Sequence, residues 1–264
     1  MTEPYELVLG QMARKIDLLQ RELREARTLE SGYTMGDAIG AGLGLPGLRA
    51  FWPFSSINQN GTVIDISGQA RALTNTNAAT FGVQNQVMPY AILNGTTQYF
   101  TRADEVGQDI TGSLTMGGWF YTTSIANAIR CIGKDVAGTN NRSYSISLAA
   151  GTGQVSMSVF PLGTSASEFS IGGSSIAINT WTFLVGRFTS STELAVWVNN
   201  TKTSTTTAVP AATFSGAAPF TIGASGTPDL YLPGRATLCF LCADALPDAL
   251  INRFYNISRS LMGV

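Results

Sequence analysis

Residues Ser113–Thr122 read SLTMGGWFYT, and the side chains alternate. Leu114, Met116, Gly118 and Phe120 fall on one side, and Thr115, Gly117, Trp119 and Tyr121 on the other. Successive strand side chains point to opposite faces, so period two selects an extended strand over a helix. The pattern recurs along the chain. Ser143–Ala149 alternates Tyr144, Ile146 and Leu148 with serines, and Gln154–Phe160 gives Val155, Met157 and Val159. Trp181–Phe188 and Glu193–Val198 are two more apolar strands, parted by Thr189-Ser190-Ser191-Thr192, and Thr237–Ala243 is another. Such spacing, with Gly, Asn and Ser between the strands, predicts an antiparallel β-sandwich over residues 51–264. The only helical feature expected there is a short turn at Pro247–Tyr255. Trp52, Trp119, Trp181 and Trp197 are expected in the core.

Composition narrows the chemistry. The 264 residues include no histidine. That removes Ser-His-Asp and Cys-His catalysis, histidine general bases and histidine-ligated zinc. A net charge of −1 gives no electrostatic case for nucleic acid or an anionic membrane. The three cysteines, Cys131, Cys239 and Cys242, cannot all pair within the chain. Cys239 and Cys242 lie three apart in a strand, so their sulfurs face opposite sides, and all three read as small buried hydrophobes. No apolar run reaches the ~18 residues of a membrane span, and MTEPYELVLG lacks the layout of a secretory signal.

Charge is unevenly spread: residues 1–30 hold 11 of the 33 charged side chains. Within this arm Tyr5, Leu9, Met12, Ile16, Leu19, Leu23 and Ala26 follow a 4-3-4-3-4-3 spacing, the seam of a coiled coil. The alternative is one amphipathic helix folded back on the body. Three heptads are marginal alone, so burial against copies of the same helix is the favoured reading. Lys15-Ile16-Asp17-Leu18-Leu19-Gln20 is similar to the basic-apolar-x-x-apolar-acidic pattern of trimeric coils, with Gln20 in the acidic place. A homotrimer is expected. Residues 31–50 form a joint in which Gly32, Gly36, Gly40 and Gly44 recur every four residues. The joint reads as a flexible linker or as linkers packed around a symmetry axis.

The order of short segments in the body resembles the laminin-G-like, concanavalin-A-like jelly roll. Ala50-Phe51-Trp52-Pro53-Phe54 resembles its opening strand, and Val63–Gln69 its D-x-S-G-N turn, with Gln69 for Asn. Leu93-Asn94-Gly95 followed by Tyr99-Phe100-Thr101 resembles its F-D-G-x-x-x-Y-V segment, and Leu114–Trp119 and Ile132-Gly133-Lys134 match a strand and a turn. Asn179–Val185 resembles its g-x-W-H-H-v-a strand without either histidine, and Leu194–Asn200 its l-x-l-Y-v-D-G strand. Ile222-Gly223, Gly234-Arg235 and Asp244-Ala245-Leu246-Pro247 complete the ending. The fold implied is a mainly β jelly-roll sandwich over residues 51–264, behind a coiled-coil helix at 1–30 and the linker.

The resemblance implies sites on the rim. Hydrolases of this fold place carboxylates on one strand face in an E-x-D-x-E pattern. That pattern is absent: Glu105 and Asp109 are four apart, and Glu168 and Glu193 are isolated, so no catalytic residue is expected. Calcium is the cofactor such domains often hold. Asp65 is the foremost ligand candidate, with Asp104, Asp135 and Asp229 in other loops. The competing reading of Asp65 is an Asx turn onto the following amides. Glycan contacts would come from two loops: Asp135, Asn140, Asn141 and Arg142 in one, Asp229 and Tyr231 in the other. The competing reading is ordinary polar hairpins.

The layout of short coiled coil, glycine joint and sandwich resembles phage fibre, spike and head-decoration proteins. It predicts a non-enzymatic virion protein, assembled in the host cytoplasm. Other virion proteins would hold its N-terminal region, and the sandwich would meet a host-surface glycan. A purely architectural virion protein and a bacterial surface carbohydrate-binding module are the alternatives.

Overall fold

The computed structural model describes residues 42–55, 61–85, 87–136, 140–227 and 229–264. The seam residues Tyr5, Leu9, Met12, Ile16, Leu19, Leu23 and Ala26 lie outside the described residues, as does residue 41 and all before it.

Two eight-stranded antiparallel sheets face each other. The strands of the first sheet are β1 (Leu48–Trp52), β4 (Thr80–Gln84), β5 (Met88–Asn94), β7 (Leu114–Thr122), β12 (Trp181–Thr189), β13 (Glu193–Val198), β14 (Thr201–Thr205) and β16 (Pro233–Cys242). They run β14-β13-β12-β7-β16-β5-β4, with β1 also paired to β16. The second sheet holds β2 (Thr62–Val63), β3 (Leu73–Thr76), β6 (Tyr99–Arg102), β8 (Ile129–Val136), β9 (Asn141–Leu148), β10 (Gln154–Val159), β11 (Phe169–Ser175) and β15 (Phe220–Ile222). Its order is β11-β10-β9-β8-β15-β6-β3-β2. Neighbours distant in sequence, such as β7 beside β16 and β15 beside β8, give the crossed connectivity of a jelly roll. The predicted mainly β sandwich is the observed fold.

Apolar residues fill two separate cores. Between the sheets lie Trp52, Phe100, Phe120, Tyr144, Ile146, Met157, Phe188 and Phe220, among others. A second cluster sits on the outer face of the first sheet and includes Phe51, Trp119, Trp181, Phe183, Trp197 and Phe240. A helix, α1 (Asp248–Met262), covers it with Ile251, Phe254 and Met262. The short turn expected at Pro247–Tyr255 is thus a 15-residue helix running on to Met262. Its buried side, Ile251, Phe254, Ser258 and Met262, keeps the three-and-four spacing of a helix face. Gly263, at φ 77°, closes it in a left-handed turn in which Val264 N–H donates to Arg259 O at 3.2 Å.

The helix explains why β7 and β12 are buried on both faces. It also divides the tryptophans: all four are buried, but only Trp52 lies between the sheets. The three cysteines are free and buried. Cys239 faces the inner core and Cys242 the outer one, as the strand spacing predicts. Burial pushes the Cys131 thiol up to about 12 and holds the other two well above the usual thiol range, which suits inert hydrophobes. Before β1, Leu43 and Leu45 are already buried in the outer cluster.

Candidate functional site

Asp65 is saturated by the fold. Its Oδ1 accepts the backbone N–H groups of Phe51 and Ser67, each at 2.9 Å. Its Oδ2 accepts the Ser67 hydroxyl and the Arg71 N–H, each at 2.8 Å. The turn therefore uses both oxygens to fasten β1 to the Arg71 segment. Among the described residues no three acidic, Cys or His side chains gather in metal-binding geometry. Asp65 with its four donors does not fit a calcium site. The other aspartates are committed elsewhere: Asp104 and Asp109 flank the fully buried Lys134, which also donates to the carbonyls of Gly216 and Ala218.

The two rim loops do come together. Gly226 N–H donates to Asp135 O at 2.7 Å, and Arg130 N–H donates to Leu230 O at 2.8 Å. Of the side chains singled out there, only Asp135 is buried; Arg142 and Tyr231 are half-buried. Asp135 is 1% exposed and lies inside β8, ion-paired with Arg130 and, at 3.7 Å, with Arg142. Burial pushes its carboxyl above the usual range, Arg130 and Arg142 pull it down, and Glu168 and Asp229 add to the upward push. A carboxylate so enclosed cannot meet a sugar. Arg142 lies over the Phe160 ring, 5.6 Å from its centroid. Asp229 is exposed, and its carboxylate accepts the Ser225 hydroxyl. Tyr231 packs at 6.2 Å against Tyr99. Asn140 is exposed and Asn141 half-buried.

A different site opens on the outer face of the first sheet. Register places Trp181 opposite Tyr121 and Tyr121 opposite Arg235. Arg235 in turn sits opposite Ile92, two residues from Tyr90 on the same face. Four adjacent strands, β12, β7, β16 and β5, thus carry Trp181, Tyr121, Arg235 and Tyr90 in one row. Trp181 meets Tyr90 and Tyr121 edge-to-face, each at 5.6 Å between centroids. The Arg235 guanidinium stands 4.6 Å from the Tyr121 ring centroid and 4.9 Å from that of Tyr90. Gly82 on β4 makes room for Tyr90, since a Cβ there would come within 2.6 Å of the ring. Gln84 Oε1 accepts the Trp181 indole N–H at 3.4 Å.

The end of α1 walls this row, held to the end of β4 by Asn85 Nδ2, which donates to Leu261 O at 2.9 Å. The result is a cavity of about 410 Å³ lined by Gln84, Tyr121, Trp181 and Arg235, with exposed Asn179 and Thr180 on its lip and Met262–Val264 as its wall. A smaller hollow of about 320 Å³ lies at Arg102, Asp104 and Glu105, where every charge is paired. Sequence reasoning missed the aromatic row because only strand register assembles it. Trp181, read as core, is its floor.

Residues 94–237, more than half of the chain, match the family model of the concanavalin A-like lectin/glucanases superfamily, laminin G type. The chain belongs to that superfamily. Its laminin-G-like fold is also that of several solved binding domains. The binding domain of botulinum neurotoxin serotype G superposes with a TM-score of 0.62 at 12% identity, over 81% of this chain and 51% of that one. The binding domain of botulinum neurotoxin DC, solved in complex with SialylT, gives 0.60 at 14% identity over 81% and 52%. The binding domain of Paraclostridial mosquitocidal protein 1 gives 0.60 at 12% identity over 80% and 52%. This laminin-G-like chain therefore spans about half the length of the solved chains it matches. At these identities the likeness is one of fold. No curated protein matches by sequence. Among the described residues no helix is long and apolar enough to cross a membrane.

Proposed function

We propose that the chain is a non-catalytic display module of a phage virion whose sandwich binds a host-surface glycan. The coiled coil over residues 5–27 trimerises it and fixes it to other virion proteins. The observation that carries the binding reading is the row of Trp181, Tyr121 and Arg235 along a 410 Å³ cavity, backed by Tyr90 and with amide side chains at its edge. Aromatic faces accept the apolar side of a sugar ring, while amides, a hydroxyl and a guanidinium meet its oxygens. Solved relatives in fold are binding domains, one of them captured with SialylT, which supports a receptor-facing role. The described lining contains no Asp or Glu, so the cavity lacks the carboxylate pair of glycoside hydrolysis. Virion placement draws its support from the sequence layout of coil, glycine joint and sandwich.

The test is a glycan array probed with the full chain and with Thr180→Trp, a substitution at an exposed lip residue that fills the cavity from outside, its folding checked by melting. The wild type should bind at least one class of sugar and the variant should lose it. Silence of the wild type across the array would leave an architectural protein.

A further inference from the structure

Arg235 differs from the other arginines of the fold. Arg71, Arg102, Arg130, Arg142 and Arg187 are all at least half-buried, and each is ion-paired with a carboxylate. Arg49, Arg253 and Arg259 are exposed. Arg235 is half-buried, yet among the described residues it has no carboxylate partner, only the faces of Tyr90 and Tyr121. Withdrawing a cation from water without an anion is unfavourable, and two tyrosine quadrupoles offset only part of that cost. The rings do fix the guanidinium plane, and so its hydrogen-bonding fork is held ready at the cavity.

From this we propose that Arg235 receives the carboxylate of an acidic sugar, so that the ligand is a glycan bearing a uronic-type carboxyl group. The inference rests on the glycan-binding reading above and names its substrate class. Three features fit a carboxylate. The planar fork of arginine matches a planar carboxylate bidentately. Arg235 is the one cation in the described lining, which suits a monoanion. The described lining also carries no acidic side chain, its anion being the terminal carboxylate of Val264 in the wall. Half-buried Tyr121, opposite Arg235 in register, then lies where the pyranose ring attached to that carboxyl would sit, with the buried Trp181 beneath it.

The experiment titrates the full chain with a glucuronic-acid-containing oligosaccharide and with the same oligosaccharide after reduction of its carboxyl to a primary alcohol. The acidic form should bind at least tenfold more tightly, and 0.5 M salt should remove most of that preference. Arg235→Gln should abolish the preference, so that the variant binds the acidic and the reduced forms equally, whatever its remaining affinity. Arg235→Lys keeps the charge and the sheet packing but loses the fork, and should retain only part of the preference. Circular dichroism and melting of both variants check that they fold. Equal binding of the two sugars by the wild type, or a preference that survives in Arg235→Gln, would overturn the role of Arg235 and leave glycan binding standing. Binding of neither sugar, with none on the array, would overturn both.

Discussion

A single carboxylate shows how one side chain fixes a turn. Asp65 accepts four hydrogen bonds, two of them from the backbone of Phe51 and Arg71, which belong to different segments. Replacing it with Ala strands those donors, so Asp65→Ala should cost about 2–3 kcal/mol in urea unfolding. Asp65→Asn should cost nearly as much, because its amide nitrogen would face donors. A chelator such as EDTA should leave the melting temperature unchanged; a fall on chelation would restore calcium to this turn. Gly82 gives a second residue-scale test. Any Cβ there collides with Tyr90, so Gly82→Val should displace that ring from Arg235 and weaken ligand binding before it weakens the fold. The role of Asp65 was legible in the sequence, because an Asx turn is a local matter of adjacent residues. That of Gly82 was not, since its neighbour Tyr90 is set by the pairing of β4 with β5.

Among elements, α1 departs most from the sequence reading. Its buried side includes a polar residue, Ser258. In the structure Ser258 Oγ accepts the Trp119 indole N–H at 2.9 Å and donates to Phe254 O at 2.7 Å, so the serine belongs to the buried side. Phe254 packs on Phe51, Phe183 and Phe240, and Phe254→Ala should cost about 3–5 kcal/mol. The start of the helix is tied down by charge: Arg187 and Lys202 both reach Glu193 and Asp248. Burial raises both carboxyls, but hydrogen bonds and charge from Lys202 and Arg187 outweigh it and hold them below their ordinary values of 4.5 and 3.8. Lowered carboxyl values stabilise the fold above the unfolded pKa and stop doing so as pH falls through the folded pKa. The helix tether should therefore be intact at neutral pH and weaken on acidification below about pH 4, read as a change in near-ultraviolet dichroism around Trp197. Arg187→Gln should move that transition to higher pH.

Strand β16 shows why the aromatic row escaped the sequence. Between Trp119 and Gly117 on β7 the chain advances two residues, while opposite them β16 advances three, from Thr237 to Phe240. This bulge, with Leu238 at φ 50°, reverses the alternation, so odd-numbered Arg235 and even-numbered Phe240 both face outward. Alternation within β7 was readable because that strand is regular. Across a bulge the parity rule fails, and the position of Arg235 beside Tyr121 follows only from pairing.

For the whole molecule, the sandwich and the arm make separate predictions. The seam at Tyr5, Leu9, Met12, Ile16, Leu19, Leu23 and Ala26 should hold three copies together, and a helix over residues 5–27 would span ~35 Å at 1.5 Å per residue. Ile16→Asp should convert a trimeric light-scattering mass to a monomeric one while leaving the melting of the sandwich in place. Equal trimer mass for both proteins would assign the assembly to the sandwiches instead. Three copies would also carry three cavities, and modest single-site affinity would suffice for attachment wherever they can engage together.

The central claim is that the ligand sits on the helix-covered face of the first sheet and not on the rim. The most direct test is calorimetric titration of the tightest-binding array glycan into three proteins: the wild type, Thr180→Trp in the cavity lip, and a rim variant with Asn140→Ala and Asp229→Ala. The account predicts a loss of at least about tenfold, 1.4 kcal/mol, for Thr180→Trp and less than about twofold for the rim variant. Loss of binding in the rim variant with full binding in Thr180→Trp would contradict it.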